Sequence, residues 1–144
     1  MKIKMIIALV MLFSIGLWGG ESIAIVKSVN GNAQIKRDSA YLNLVRGSEL
    51  QTGDIVQTSD KASVGLVFND GTVLSVGPKS MLELNKYLFK PSSKEYDFDV
   101  TLKKGTTAYE SGKLGKLAPE KVAFRVPQGS IGVRGTKFIV DVEE

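Results

Sequence analysis

The clearest alternation in the chain runs from Tyr96 to Leu102. Tyr96, Phe98, Val100 and Leu102 fall on one side, and Asp97, Asp99 and Thr101 on the other. A period of two marks a strand with one buried face. The rhythm recurs at Ala62, Val64, Leu66 and Phe68 against Ser63, Gly65 and Val67. It returns at Val122, Phe124 and Val126, and at Phe138, Val140 and Val142. Ile23 to Val29 is rich in β-branched residues, and Asn30-Gly31 separates it from Asn32 to Ile35. That dipeptide between two strand-like runs predicts a hairpin. Turn residues punctuate the rest at Gly53-Asp54, Ser59-Asp60, Asn69-Asp70-Gly71 and Gly77-Pro78. Only Met81 to Phe89 also reads as a helix. The pattern predicts roughly ten short strands with turns about every eight to twelve residues. The expected fold is therefore all-β, a solenoid-like or sandwich-like module. A loose echo between Phe68–Ser80 and Phe124–Phe138 is compatible with stacked coils. Two polar breaks interrupt the strands, Lys90–Glu95 and Gly112–Lys121, the second expected to be the most mobile loop. In a solenoid with open edges, Lys103, Lys104 and Lys113 would guard those edges.

The N-terminus has a different pattern. Lys2 and Lys4 precede a run from Met5 to Trp18 with no charge. That run falls short of the ~20 residues of a comfortable membrane span. Gly19, Gly20 and Glu21 break it, and Ser22 and Ala24 offer small residues for a cut after Ala24. This is the layout of a secretory signal peptide. Residues 1–24 are expected to be the signal and 25–144 the mature domain. A cut before Ser22 also makes sense, because Ile23 onward already reads as strand. The competing readings are an uncleaved anchor or a buried N-terminal element.

Composition narrows the chemistry. The 144 residues contain no Cys and no His. Disulfides and thiolate metal sites are excluded, and so is the commonest general base. The 19 basic residues less Lys2 and Lys4, against 15 acidic residues less Glu21, leave a mature net charge of +3. These charges are dispersed and mixed, so no nucleic-acid footprint is expected. Gly53-Asp54 and Asp70-Gly71 read as turn pairs and not as catalytic carboxylates. Glu95, Asp97 and Asp99 form a small acidic strip that reads as a wet strand face or, less simply, as a Ca²⁺ or basic-partner site. Gly129 to Thr136 has the glycines of a phosphate loop, but a strand follows it where a phosphate loop needs a helix. Arg134 there braces a turn or reaches a ligand. Phe138, with Val140 and Val142, is expected to close the core around Gly135 and Thr136. Tyr87, Phe89, Tyr96 and Tyr109 lie in or beside polar segments and suit either a binding surface or half-buried caps.

Four stretches together resemble the FecR-like domain of bacterial periplasmic proteins. They are Ile25–Arg37, Arg46–Leu84, Leu102–Thr107 and Phe124–Val140. The signature positions are Gly53, Asp54, Asp70, Gly71, Arg134, Gly135, Thr136 and Phe138. The resemblance implies an all-β periplasmic module without catalysis or cofactor. In the iron-transport regulators of that family, the module relays a signal from an outer-membrane receptor to a cytoplasmic sigma factor. Here the short segment before the hydrophobic run and the end at Glu144 leave no room for the regulators' flanking domains. A stand-alone exported branch is therefore expected.

The expected function is a non-catalytic envelope module that binds another protein, for signalling or scaffolding. The alternative is binding of cell-wall glycan or another polysaccharide. No enzyme, no nucleic-acid partner and no stable membrane span are expected, unless the signal segment is retained as an anchor.

Overall fold

The computed structural model describes residues 20–132 and 137–143. Twelve strands and three short helical segments, the first a 3-10 turn at Pro91–Ser93, account for most of them. The strands are β1 (Ala24–Asn30), β2 (Ala33–Arg37), β3 (Ala40–Asn43), β4 (Glu49–Leu50), β5 (Ile55–Thr58) and β6 (Ser63–Phe68). They continue with β7 (Val73–Val76), β8 (Met81–Lys90), β9 (Glu95–Glu110), β10 (Val122–Val126), β11 (Gly129–Gly132) and β12 (Lys137–Val142). Helix α1 (Lys113–Leu117) and a 3-10 turn at Pro119–Lys121 lie between β9 and β10.

The strands form one curled, mostly antiparallel sheet whose two halves enclose a single core. The first half, layer A, runs β4-β1-β6-β7-β9-β12. The second, layer B, runs β3-β2-β5-β8-β9-β10-β11. Strand β9 belongs to both. Its N-terminal part lies between β8 and the parallel β10, and its C-terminal part between β7 and β12. The all-β expectation is met, in a sandwich-like form.

The switch falls at Gly105. Pairing with β8 ends at Lys104, and pairing with β12 begins at Gly105. Gly105 has φ +94, and a Cβ there would overlap the side chain and backbone of Ser80. Only glycine takes that conformation freely. Ser80 closes the bend: the Thr106 N–H donates to Ser80 Oγ at 3.0 Å, and that hydroxyl contacts the Thr106 carbonyl at 3.3 Å.

The core follows the alternation read from the sequence. Val64, Leu66 and Phe68 of β6 point inward, as do Phe98, Val100 and Leu102 of β9. Phe124, Val140 and Val142 are buried, and Phe138 packs against the same core. An aromatic chain crosses it. Phe68 meets Phe98, Phe98 meets Tyr109, Tyr109 stacks on Phe138 at 4.8 Å, and Phe138 meets Phe124 edge-on. Such offset and edge contacts add ~0.5–1.5 kcal/mol each beyond burial.

Four local expectations change. Met81–Lys90 is a strand, since Leu82 and Leu84 alternate into the core. Asn30-Gly31 does not close a hairpin. β1 pairs with β4 and β6, β2 with β3 and β5, and the turn carries the chain between layers. Both strands have apolar inward positions, which two facing layers satisfy. The segment expected to be most mobile holds α1, and its Leu114 is fully buried in the core. Lys103 and Lys104 lie in β9, which has a strand on either side in both layers, and Lys113 opens α1. None of the three guards an edge.

Thr107 is fully buried, yet its hydroxyl has no hydrogen-bond partner among the described residues. Its register partners are Val76 and Val140. Thr107→Val should therefore stabilise the fold by about 1 kcal/mol, since an unsatisfied hydroxyl is removed. Gly105→Ala should destabilise it by ~3 kcal/mol or more through backbone strain and the collision with Ser80. Urea unfolding of both variants checks the pair. An unchanged midpoint for Gly105→Ala would refute the pivot.

Candidate functional site

Three acids are buried or nearly so, and each is held by its neighbours. Asp54 is 1 % exposed. Arg37 of β2 grips it in two-pronged fashion, Nε to Oδ1 at 2.9 Å and Nη2 to Oδ2 at 2.8 Å. The Gln51 N–H donates to Oδ2 as well. This clasp holds the Gly53-Asp54 turn, with Gly53 at φ +93, against β2. The carboxylate raises the Arg37 pKa, chiefly through the hydrogen bond, against the opposing effect of burial.

Asp70 is 3 % exposed and has no cationic partner among the described residues. Hydrogen bonds replace one. Tyr87 Oη donates to Oδ1 at 2.8 Å, and Thr72 Oγ1 donates to Oδ2 at 2.8 Å. The backbone N–H of Leu114 donates to Oδ2 at 2.8 Å, and that of Thr72 to Oδ1 at 3.3 Å. In return the Asp70 N–H donates to Tyr87 Oη. The β6–β7 turn, with Gly71 at φ +92, is thus tied to β8 and to α1 by one side chain. Burial first, and the bond to Asp70 second, push the Tyr87 phenol well above its ordinary pKa.

Asp99 belongs to the strip expected to be a wet face or a cation site. It is only 7 % exposed. Arg125 of β10 donates to both its oxygens at 2.9 Å, and Asn85 of β8 donates to Oδ1 at 3.0 Å. The Arg125 bond holds the Asp99 carboxyl below its ordinary pKa. The side chain locks three strands together and is committed within the protein. Among the described residues no group of three or more His, Cys, Asp or Glu could hold a metal ion.

Arg134, Gly135 and Thr136 lie outside the described residues. Phe138 is placed in the core, as the aromatic chain requires. Of the signature positions that the structure describes, Gly53, Asp54, Asp70 and Gly71 lie in turns, and Phe138 packs against the core. The partners Arg37, Tyr87 and Arg125 escape a reading of the sequence because they lie 17 to 26 residues from their acids. No local spacing signals them.

What remains for function is the outside of the two layers. Across layer A, Ile25, Val67 and Val73 are register neighbours, continued by Glu110 and Lys137. The next row is Ser28, Gly65, Ser75, Ala108 and Ile139. Register neighbours share a face, and along these two rows the side chains are mostly small or apolar, with charge at the margins. Ile139 is 71 % and Ile25 47 % exposed. Layer B is different. Its outer rows hold Tyr41, Lys36, Ile55 and Glu83, and Asn43, Gln34, Gln57 and Met81. Among the described residues neither set of rows brings a nucleophile, base and acid together.

The module is all-β, and its three buried acids are tied up in hydrogen bonds within the fold. Residues 54–144, well over half of the chain, match the FecR protein family, and the chain belongs to that family. The match takes in β5 to β12. β1 to β4 precede it, although Val26, Ile35 and Leu50 share its core. No curated protein matches the chain. A solved structure described as a cell surface anchoring domain is similar at 26 % identity, covering 44 % of this chain and 86 % of its own, with TM-score 0.43. FecR domains are non-catalytic and serve protein–protein signalling in the bacterial envelope, so this chain is a non-catalytic periplasmic interaction module.

The Asp70 network gives a pH prediction. Tyr87 has a folded pKa above its unfolded value of ~10, so its contribution is fully present below about pH 10 and is lost as pH rises through the folded value. Tyr87→Phe should cost about 1–3 kcal/mol at neutral pH. It should also flatten the loss of stability at alkaline pH. Urea midpoints at both pH values measure this, and a wild-type midpoint at neutral pH would show that the network is dispensable.

Proposed function

We propose that this module binds an envelope protein through the outer face of layer A, relaying a signal or holding an assembly together. The observation that supports it is the row of Ile25, Val67 and Val73 beside the row of Gly65, Ser75, Ala108 and Ile139. Outward strand positions are ordinarily polar. Here small and apolar side chains spread across five strands, β1, β6, β7, β9 and β12, with Glu110 and Lys137 at one margin. A face of this kind suits a flat apolar partner surface, with the marginal charges setting orientation. Ile139→Asp and Ile25→Asp should leave the unfolding midpoint unchanged and weaken capture of the native partner by at least ~10-fold, about 1.4 kcal/mol. Equal capture by wild type and both variants would remove this face from the account.

The N-terminal segment serves export in this reading, and the mature chain keeps Ile23 and Ala24. Both are buried, the Ile23 N–H donates to the Leu50 carbonyl, and the Ile23 carbonyl accepts from Asn69. A chain beginning at Ile25 loses those contacts. The cut therefore falls before Ile23, or the segment is retained as an anchor. Among the described residues no helix is long and apolar enough to cross a membrane. The intact mass of the protein from periplasmic and membrane fractions decides. A periplasmic species beginning at Ile25 would contradict the reading.

A further inference from the structure

The outer corner of layer B holds a cleft of about 440 Å³ where β2, β3 and β5 meet. Its polar side chains are Asn32, Gln34, Asn43, Gln57, Thr58 and Ser59. None is charged, in a chain in which 24 % of residues are. No charged side chain lines the cleft itself. Asn43, Gln34 and Gln57 are register neighbours on three successive strands, so their carboxamides form one row. Gln34 Nε2 donates to Gln57 Oε1 at 3.1 Å. That bond fixes the pair and leaves Gln34 Oε1 as an acceptor beside Gln57 Nε2 as a donor. The Thr58 hydroxyl is committed to the Gly77 carbonyl and the Ser80 N–H, which makes that wall rigid. Tyr41 lies two residues before Asn43 on the same strand face, 56 % exposed, with the Lys36 ammonium 5.9 Å from its ring centre.

We propose that this cleft is a subsite for a neutral, N-acetylated glycan. An acetamido group carries one N–H donor and one carbonyl acceptor, the complement of the free Gln34 oxygen and Gln57 amino group. Sugar hydroxyls both donate and accept, as do the side chains of Asn32, Asn43 and Ser59 around them. The face of the exposed Tyr41 ring away from Lys36 offers an apolar platform beside the row for a second sugar unit. The site is separate from the apolar face of layer A, so either can fail without the other.

The test is titration of the exported protein with tri-N-acetylchitotriose, cellotriose and an uncharged N-acetylated tetrapeptide, read by calorimetry and by the side-chain amide signals of Gln34, Asn43 and Gln57. Saturable binding of chitotriose is expected, insensitive to salt, with cellotriose at least ~10-fold weaker. Gln57→Leu should weaken chitotriose at least ~10-fold, and the exposed Asn43→Asp should weaken it without a change in unfolding midpoint. Co-sedimentation with purified peptidoglycan, set against a soluble N-acetylated exopolysaccharide, distinguishes the two sources of that chemistry. Equal affinity for chitotriose and cellotriose would overturn the acetamido assignment. No binding of any sugar, or saturation by the peptide alone, would overturn the site.

Discussion

One strand carries the architecture, and one residue lets it do so. β9 is an inner strand of both layers, and at Gly105 it leaves one and enters the other. A strand can change sheet only by breaking its twist and pairing, and the break needs a backbone conformation that a side chain penalises. Ser80 then restores the hydrogen bonding that the break would forfeit. β8 and β10 depend on the first part of β9, β7 and β12 on the second, and β5 and β6 pack outward from those. Closure of the core between the layers follows from this bend, because Phe98, Val100 and Leu102 on one side of it face the same interior as Thr107 and Tyr109 on the other.

The buried acids solve a related problem. Turns that cross between strands leave backbone donors pointing inward, and a carboxylate is the side chain best able to collect them. Asp54 collects Gln51 and the Arg37 fork, while Asp70 collects Thr72, Leu114 and Tyr87. Charge-assisted bonds of this kind are stronger than neutral ones, and losing one partner leaves a desolvated charge behind. These residues therefore recur at turns as structural ties. Catalysis needs a carboxylate facing a substrate, and both of these are buried and bonded within the protein.

Much of the fold was legible from the sequence because half-buried strands alternate. The inward sets of β6, β9, β10 and β12 follow directly from period two, whereas the exterior of layer A emerges only from the register that sets Gly65, Ser75 and Ile139 in one row. Pairing was not legible. Asn30-Gly31 has the local chemistry of a hairpin, but tertiary packing sends β1 and β2 into opposite layers, and the turn obeys the core. The helix at Lys113–Leu117 was hidden by its polar composition, since one buried leucine and the Asp70 carboxylate suffice to hold it. The amide row was hidden for the opposite reason. Asn43, Gln34 and Gln57 are unremarkable singly, and only strand register makes them neighbours.

The central claim is a division of labour between two faces of one rigid module, with protein recognition on layer A. Site-specific photocrosslinking in the intact envelope reads this directly. The crosslinking residue is placed in turn at Val73 and Ile139 on layer A, and at Lys36 and Thr101 on layer B. The account predicts a discrete protein adduct of one mass from both layer A positions and none from layer B. A protein adduct from Lys36 or Thr101, with Val73 and Ile139 silent, would contradict it.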